Sequence, residues 1–260
     1  MKNLLIFAAA MLSAVSLSWA DTVPGESGPI EITPLIHSSV QLEYDNQVIL
    51  IDPWGVRGLP NAKSADLILV TDNPAHHLDI ETINRLSRAN TPVVIPANSL
   101  ESLATGVVLN NGEMIRIAGL TIEAIAAYDI IPGAPEHPKG DANGYVLEFG
   151  GKRFFFAGVT ECVAEVKALQ NIDVAFLPMN IPIGRMTPEA TAECAKLIDP
   201  DVVYLYHYDQ NYARRVVRPD YPTSILDSGL TVEQSLGLFE RLMADSGVEV
   251  RRGDFYPPLN

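Results

Sequence analysis

Five histidines, His37, His76, His77, His137 and His207, each sit at the end of a segment that reads as a strand. Imidazole changes charge near neutral pH and is the commonest side-chain metal ligand. Placed at strand ends, such residues could hold a metal or move protons, or simply cap a strand with a hydrogen bond. Two long polar stretches, residues 133–140 and 208–227, carry or adjoin two of them. Polar loops of that length inside a compact domain usually carry function.

The elements that must position these residues follow from the apolar pattern. Residues 40–44 alternate as a half-buried strand, and Asp45-Asn46 supplies a turn into a second strand at 48–51. Residues 67–70 form an unbroken apolar run, as in a strand covered on both faces. Asp79 caps a helix carrying Ile80, Ile83 and Leu86 at helical spacing. A strand at 93–95 and a short helix at 99–104 follow. The middle is strand-rich, at 114–117, 121–126, 145–149 and 153–156, with Asn110-Asn111-Gly112 and Gly150-Gly151 as hairpin turns. The last third alternates helices at 164–169, 188–197 and 232–244 with strands at 174–177, 202–206 and 248–251.

Six segments, in order, resemble the metallo-β-lactamase superfamily, and within it the L-ascorbate-6-phosphate lactonase-like branch. They are the opening hairpin, 32–53; the strand and loop ending Thr71-Asp72-Asn73-Pro74-Ala75-His76-His77; the stretch from His137 to Val146; Gly158-Val159-Thr160; the strand from Asp173 to Pro178 with Met186-Thr187-Pro188; and the strand leading into His207. The resemblance implies an α/β fold, α+β layered, arranged as a four-layer αββα sandwich with these loops at one edge. It also implies a pair of metal sites, and here the pattern is damaged. In the family's T-H-x-H-x-D-H signature the first His is Asp72, the second is Pro74, and the Asp is His76; only His77 remains. The Asp of G-D-T, which bridges two metals in the family, is Val159.

Carried over, the first set of ligands would be Asp72, Pro74 and His137. Proline offers no donor atom, so that site is expected to be lost. The second set would be His76, His77 and His207: three imidazoles, an arrangement that suits one zinc or other divalent ion with an open position for water. A distorted alternative draws on His137 and Asp72. His76, Tyr208 and Asp209 are the candidates for moving protons beside a metal-bound water. His37, Trp54, Tyr128, Lys139 and Asn143 are expected to line the substrate pocket, with His37 outside the ligand set. Three functions stay open: an exported hydrolase with one metal acting on a small ester, lactone or phosphoester; a metal-free pseudoenzyme acting as a binding or interaction module; and metal sequestration.

Composition bounds the rest. Lys2, the apolar run 4–15 and Ser18-Trp19-Ala20 have the layout of a signal peptide over residues 1–20, which leaves a single domain at 21–260 and a periplasmic or secreted product without stable membrane insertion. The chain has 18 Lys and Arg against 32 Asp and Glu, a net charge of −14 that becomes −15 without Lys2. Such a balance disfavours nucleic acid, whose binding relies on basic residues releasing counterions. A small-molecule substrate or ligand is the expected partner. Cys162 and Cys194, both expected on helices, are either a disulfide, two small buried hydrophobes or, for Cys162, an added metal ligand.

Overall fold

Strands buried on both faces read as continuous apolar runs, because each side of the sheet meets a packed layer. The computed structural model, which describes residues 20–55, 59, 61–132, 136–222 and 229–256, shows where those layers lie. The expected signal peptide falls outside the described residues, apart from Ala20.

The first sheet holds β1 (Asp21–Pro24), β2 (Pro29–Ile36), β3 (Ser39–Tyr44), β4 (Gln47–Ile51), β5 (Leu67–Leu69), β6 (Val93–Ile95) and β7 (Val107–Val108), in that order. The second holds β8 (Met114–Ile117), β9 (Leu120–Ala127), β10 (Ala142–Phe149), β11 (Lys152–Phe156), β12 (Val174–Pro178), β13 (Val202–Tyr206) and β14 (Glu249–Arg251), again in chain order across the sheet. Each sheet begins as an antiparallel meander and continues parallel, from β4 in the first and from β11 in the second. The helices are α1 (Ile80–Leu86), α2 (Ala164–Lys167), α3 (Pro188–Ile198), α4 (Tyr212–Val217) and α5 (Val232–Met243).

Alternation along each strand splits the core into three layers. From β4, β5, β11, β12 and β13, Ile49, Leu67, Leu69, Phe154, Phe156, Phe176 and Tyr204 fill the space between the sheets. Leu50, Ile68 and Val70 face the other way and pack on Ile83 and Leu86 of α1. Ala175, Leu177, Val203 and Leu205 pack on α3 and α5 through Ala192, Ala195, Leu236 and Phe239. Helix, sheet, sheet, helix is the expected four-layer order. Between the sheets the rings of Phe156, Phe176 and Tyr204 stack at 4.7 and 4.8 Å, a geometry that adds to their area burial.

Several expectations change. The helix expected at 99–104 is a 3-10 turn at Ala97–Ser99 followed by irregular turns, because the segment between Pro96 and Gly106 is too short to propagate an α-helix. The expected helix 164–169 ends at Lys167. Part of the polar stretch 208–227 folds as α4, and β1 and β7 have no counterpart in the sequence reading. Cys162 lies in the loop before α2, not on a helix, and is bonded to Cys194 of α3. Its sulfur is therefore not a metal ligand. Among the described residues no helix is long and apolar enough to cross a membrane.

Candidate functional site

The sheet edge that gathers the C-terminal ends of β5 and β13 also receives the β2–β3 turn. His37 occupies that turn with φ +59°, and His207 follows β13 with φ +51°. The His207 amide donates to the His37 carbonyl at 3.0 Å, so the two sheets are stitched at this point. Side chains other than glycine seldom adopt such backbone values, and they persist where surrounding contacts enforce them. Pro74 shapes the neighbouring loop: its carbonyl accepts from the amides of His77 and Leu78, which presents His76 and His77 side by side.

Four histidines therefore meet. His37, His76 and His207 each offer a ring nitrogen, and the three atoms lie within 4.8 Å of one another. The His37 and His207 rings are 3.8 Å apart, and the His76 ring is 5.3 Å from His37 and 5.5 Å from His207. His77 borders the group, stacked 5.1 Å from His207. In three of the four, Nδ1 is engaged from behind. His37 Nδ1 meets the Tyr256 hydroxyl at 2.7 Å, His77 Nδ1 meets Asp52 Oδ2 at 2.7 Å, and His207 Nδ1 meets the Gln210 side-chain amide at 3.1 Å. Their Nε2 atoms remain for the cluster, and those of His77 and His207 are buried without a hydrogen-bond partner. Buried polar atoms without partners are rare and call for an explanation. An ion held by the trio supplies one for His207: imidazole donors suit zinc, copper or nickel, and a partner behind the ring, as His37 and His207 have, is how metal-binding histidines are oriented. Tetrahedral zinc with Zn–N bonds near 2.0–2.1 Å would set its donors about 3.3 Å apart, so donors now within 4.8 Å of one another would draw together by up to about 1.5 Å on loading. His207 must also carry its proton on Nδ1 to offer Nε2, which requires the Gln210 amide to turn its oxygen to the ring and give up the bond its nitrogen donates to the His207 carbonyl at 2.7 Å.

The electrostatics agree with neutral donors. Burial, then the neighbouring His76 and His77, holds the His37 pKa well below its usual value. Burial followed by His77 takes His76 down to about 3, and burial with His37 and His77 lowers His207. Ligation requires the unprotonated ring. Trp54 forms one wall, its ring 5.6 Å from His37 and 6.1 Å from His76.

Asp72 and His137 are not brought into this group. They face each other, Oδ2 to Nε2 at 3.3 Å, on the side that would hold the first metal. Behind His137 stand Asp129, 3.4 Å from Nδ1, and the buried Arg185, which pairs with Asp129 and with Glu136. Burial alone would raise the Asp72 pKa; the His137 bond, the His77 charge and donors from Asn98 and Asn73 outweigh it and bring it to about 2. Burial alone would lower that of His137, but bonding to Asp72 and the charges of Asp72 and Asp129 raise it. The Asp72–His137 pair is thus balanced by the protein's own charges. Val159, buried at 3% exposure, packs in the outer core and offers no oxygen.

The remaining pocket candidates divide. Lys139 and Tyr128 are engaged with Glu165 and with each other, the Tyr128 hydroxyl bonding Glu165 at 3.0 Å. Asn143, expected to bind substrate, spends its amide on the Leu109 carbonyl at 2.7 Å and on Asn111 at 2.6 Å, and so works as a brace. Asp209 pairs with Arg215. Tyr208 packs in the outer core, where burial raises its pKa. Sequence reasoning did not single out Asp52, Tyr256, Gln210 or Arg185. Asp52-Pro53 at a strand end was a signal for the first, while the others act across long chain separations.

Comparison with known proteins places this geometry. A profile of the β-lactamase superfamily domain matches residues 31–207. A UPF0173 metal-dependent hydrolase of Methanopyrus kandleri is 26% identical over 221 residues, 78% of this chain and 95% of its own length. A second, from Thermus thermophilus, is 29% identical over 192 residues, 69% of this chain and 84% of its own. The crystal structure of a candidate metal-dependent hydrolase from Parabacteroides distasonis is 33% identical, with TM-score 0.76, over 90% of this chain and 98% of that one. A metallo hydrolase from Ignicoccus hospitalis, 20% identical with TM-score 0.64 over 88% and 96%, shares the fold.

Proposed function

The chain belongs to the β-lactamase superfamily, and on that premise we propose that it is an exported hydrolase working with one divalent ion, zinc by donor type, on a small ester, lactone or phosphoester. The observation that carries this is the trio His37, His76 and His207, with three donor atoms within 4.8 Å. When bound, an ion with three protein ligands keeps a position open and supplies Lewis acidity and an acidified water. The half-buried Trp54 ring stands against His37 and His76 on one side of the trio. His137 lines a cavity of about 270 Å³ together with Asp72, Pro74 and Asn98, and none of the trio borders it. The His137 proton is held more firmly than on an isolated imidazole.

The unpartnered Nε2 of His77 supports a second reading, metal sequestration. Four imidazoles around one ion would close the site, as in structural zinc centres. Elemental analysis of tag-free protein, with hydrolysis of p-nitrophenyl acetate and bis(p-nitrophenyl) phosphate before and after chelation, separates the readings. One equivalent of zinc and chelator-sensitive hydrolysis are expected. One tightly held equivalent with no turnover favours sequestration, no zinc uptake favours a metal-free binding module, and two equivalents contradict a one-ion site. Export is supported by the start of β1 at Asp21, directly after the expected cleavage point, and by the disulfide, which suits an oxidising compartment. Sequencing the mature N-terminus should give Asp21.

A further inference from the structure

The C-terminal segment that follows β14 lies beyond the superfamily match, yet it reaches the histidine group. The His37 amide donates to the Phe255 carbonyl at 3.1 Å, and the next residue places its hydroxyl 2.7 Å from His37 Nδ1. That hydroxyl also accepts from the Asp209 amide at 3.1 Å, two residues past His207. The Tyr256 ring is held edge-on by Tyr208 at 4.7 Å and Tyr212 at 5.0 Å. One oxygen therefore links the loops that carry His37 and His207, and two flanking aromatic rings fix where it sits.

We propose that Tyr256 is a positioning residue of the metal site: its hydroxyl accepts the Nδ1 proton of His37 and so turns the Nε2 lone pair toward His76 and His207. A hydroxyl oxygen has two acceptor positions. The Asp209 amide takes one, and in the proposed tautomer His37 Nδ1–H takes the other while the phenol's own proton turns away from the ring. A neutral imidazole with its proton on Nδ1 has its lone pair on Nε2, the form a metal needs. His37 stands on a turn with φ +59° and lacks the carboxylate that orients His77, so the phenol does the orienting. This proposal rests on the one-ion reading above.

The test is zinc titration of the mature protein and of Tyr256→Phe, with Tyr44→Phe as a remote control that loses an exposed hydroxyl bond, to Ser27. Phenylalanine keeps the ring packed against Tyr208 and Tyr212, so the fold should hold; thermal unfolding of the metal-free proteins checks this. Loss of a partner behind a metal-binding histidine typically weakens the metal about 10- to 100-fold. That loss is expected for Tyr256→Phe and not for Tyr44→Phe. In the zinc-loaded parent, nitrogen-15 NMR should show His37 with its proton on Nδ1, exchanging slowly, and the variant should lose that protection. Equal zinc affinity of parent and Tyr256→Phe, or a His37 proton on Nε2, overturns the proposal while leaving the metal site standing. A parent that takes up no zinc overturns both.

Discussion

Replacing Asp52 by alanine strips the acceptor from three donors at once. The side chain is fully buried at the end of β4, with φ +43°. Its Oδ1 accepts the Thr71 amide at 2.7 Å, and its Oδ2 accepts the Thr71 hydroxyl at 2.6 Å and His77 Nδ1 at 2.7 Å. Removing one partner of such a buried, charge-assisted set costs roughly 3–5 kcal/mol, since the remaining groups stay dehydrated and unpaired. Asparagine keeps the volume and tolerates the left-handed backbone, but its amide nitrogen must face a donor, so about 1.5–3 kcal/mol should go. For a domain of this size each kcal/mol moves the melting temperature by about 2–4 °C. Asp52→Ala should therefore melt roughly 6–20 °C lower and Asp52→Asn less. Thermal unfolding of metal-free protein gives the numbers. The orienting role is read by a cycle with His77→Ala: the cost of Asp52→Asn should fall by at least about 1 kcal/mol when the ring is absent. Additive costs within about 0.5 kcal/mol, or a shift under about 2 °C for Asp52→Ala, would refute the reasoning.

His37→Ala and His207→Ala should each reduce zinc binding at least a hundredfold by calorimetric titration, and a His37→Ala protein that binds zinc normally would exclude His37 as a ligand. His77→Ala should keep one zinc if the site is open, and lose it if four imidazoles bind. The Asp72–His137 pair predicts a pH signature. Asp72 is depressed to about 2, so its contribution is present above the unfolded carboxylate range near 3.8 and is lost as pH falls through about 2. His137 is raised, so its contribution is full below 6.5 and fades as pH rises past its folded value. The urea midpoint difference between the parent and Asp72→Asn should thus be larger at pH 5.5 than at pH 9; the reverse order would contradict the pairing. Val159→Asp places a carboxylate in the outer core and should cost more than about 2 kcal/mol without metal, measured by urea unfolding; a neutral outcome would mean that the loop opens to water.

Much of the architecture was legible because it is written in short-range patterns. Runs such as 67–70 and 202–206 carry no alternation, as a strand covered on both sides requires, and Thr187-Pro188 marks the start of α3 by local capping chemistry. Pro74 and Val159 likewise removed donor atoms by residue type alone, with no structure required. The identity of the meeting histidines was not local. His37 joins His76 and His207 because the β2–β3 turn of one sheet bonds the strand end of the other, and because Phe255 and Tyr256 close over it from the far end of the chain. Asn143 and Lys139 had the right types for a pocket, but packing gave their polar atoms to Leu109 and Glu165. The Cys162–Cys194 bond depended in the same way on a loop and a helix arriving within 5.7 Å between Cα atoms. Residue type and spacing set which chemistry is available; the packing of two sheets decides which donor atoms converge, since that depends on contacts between segments far apart in the chain.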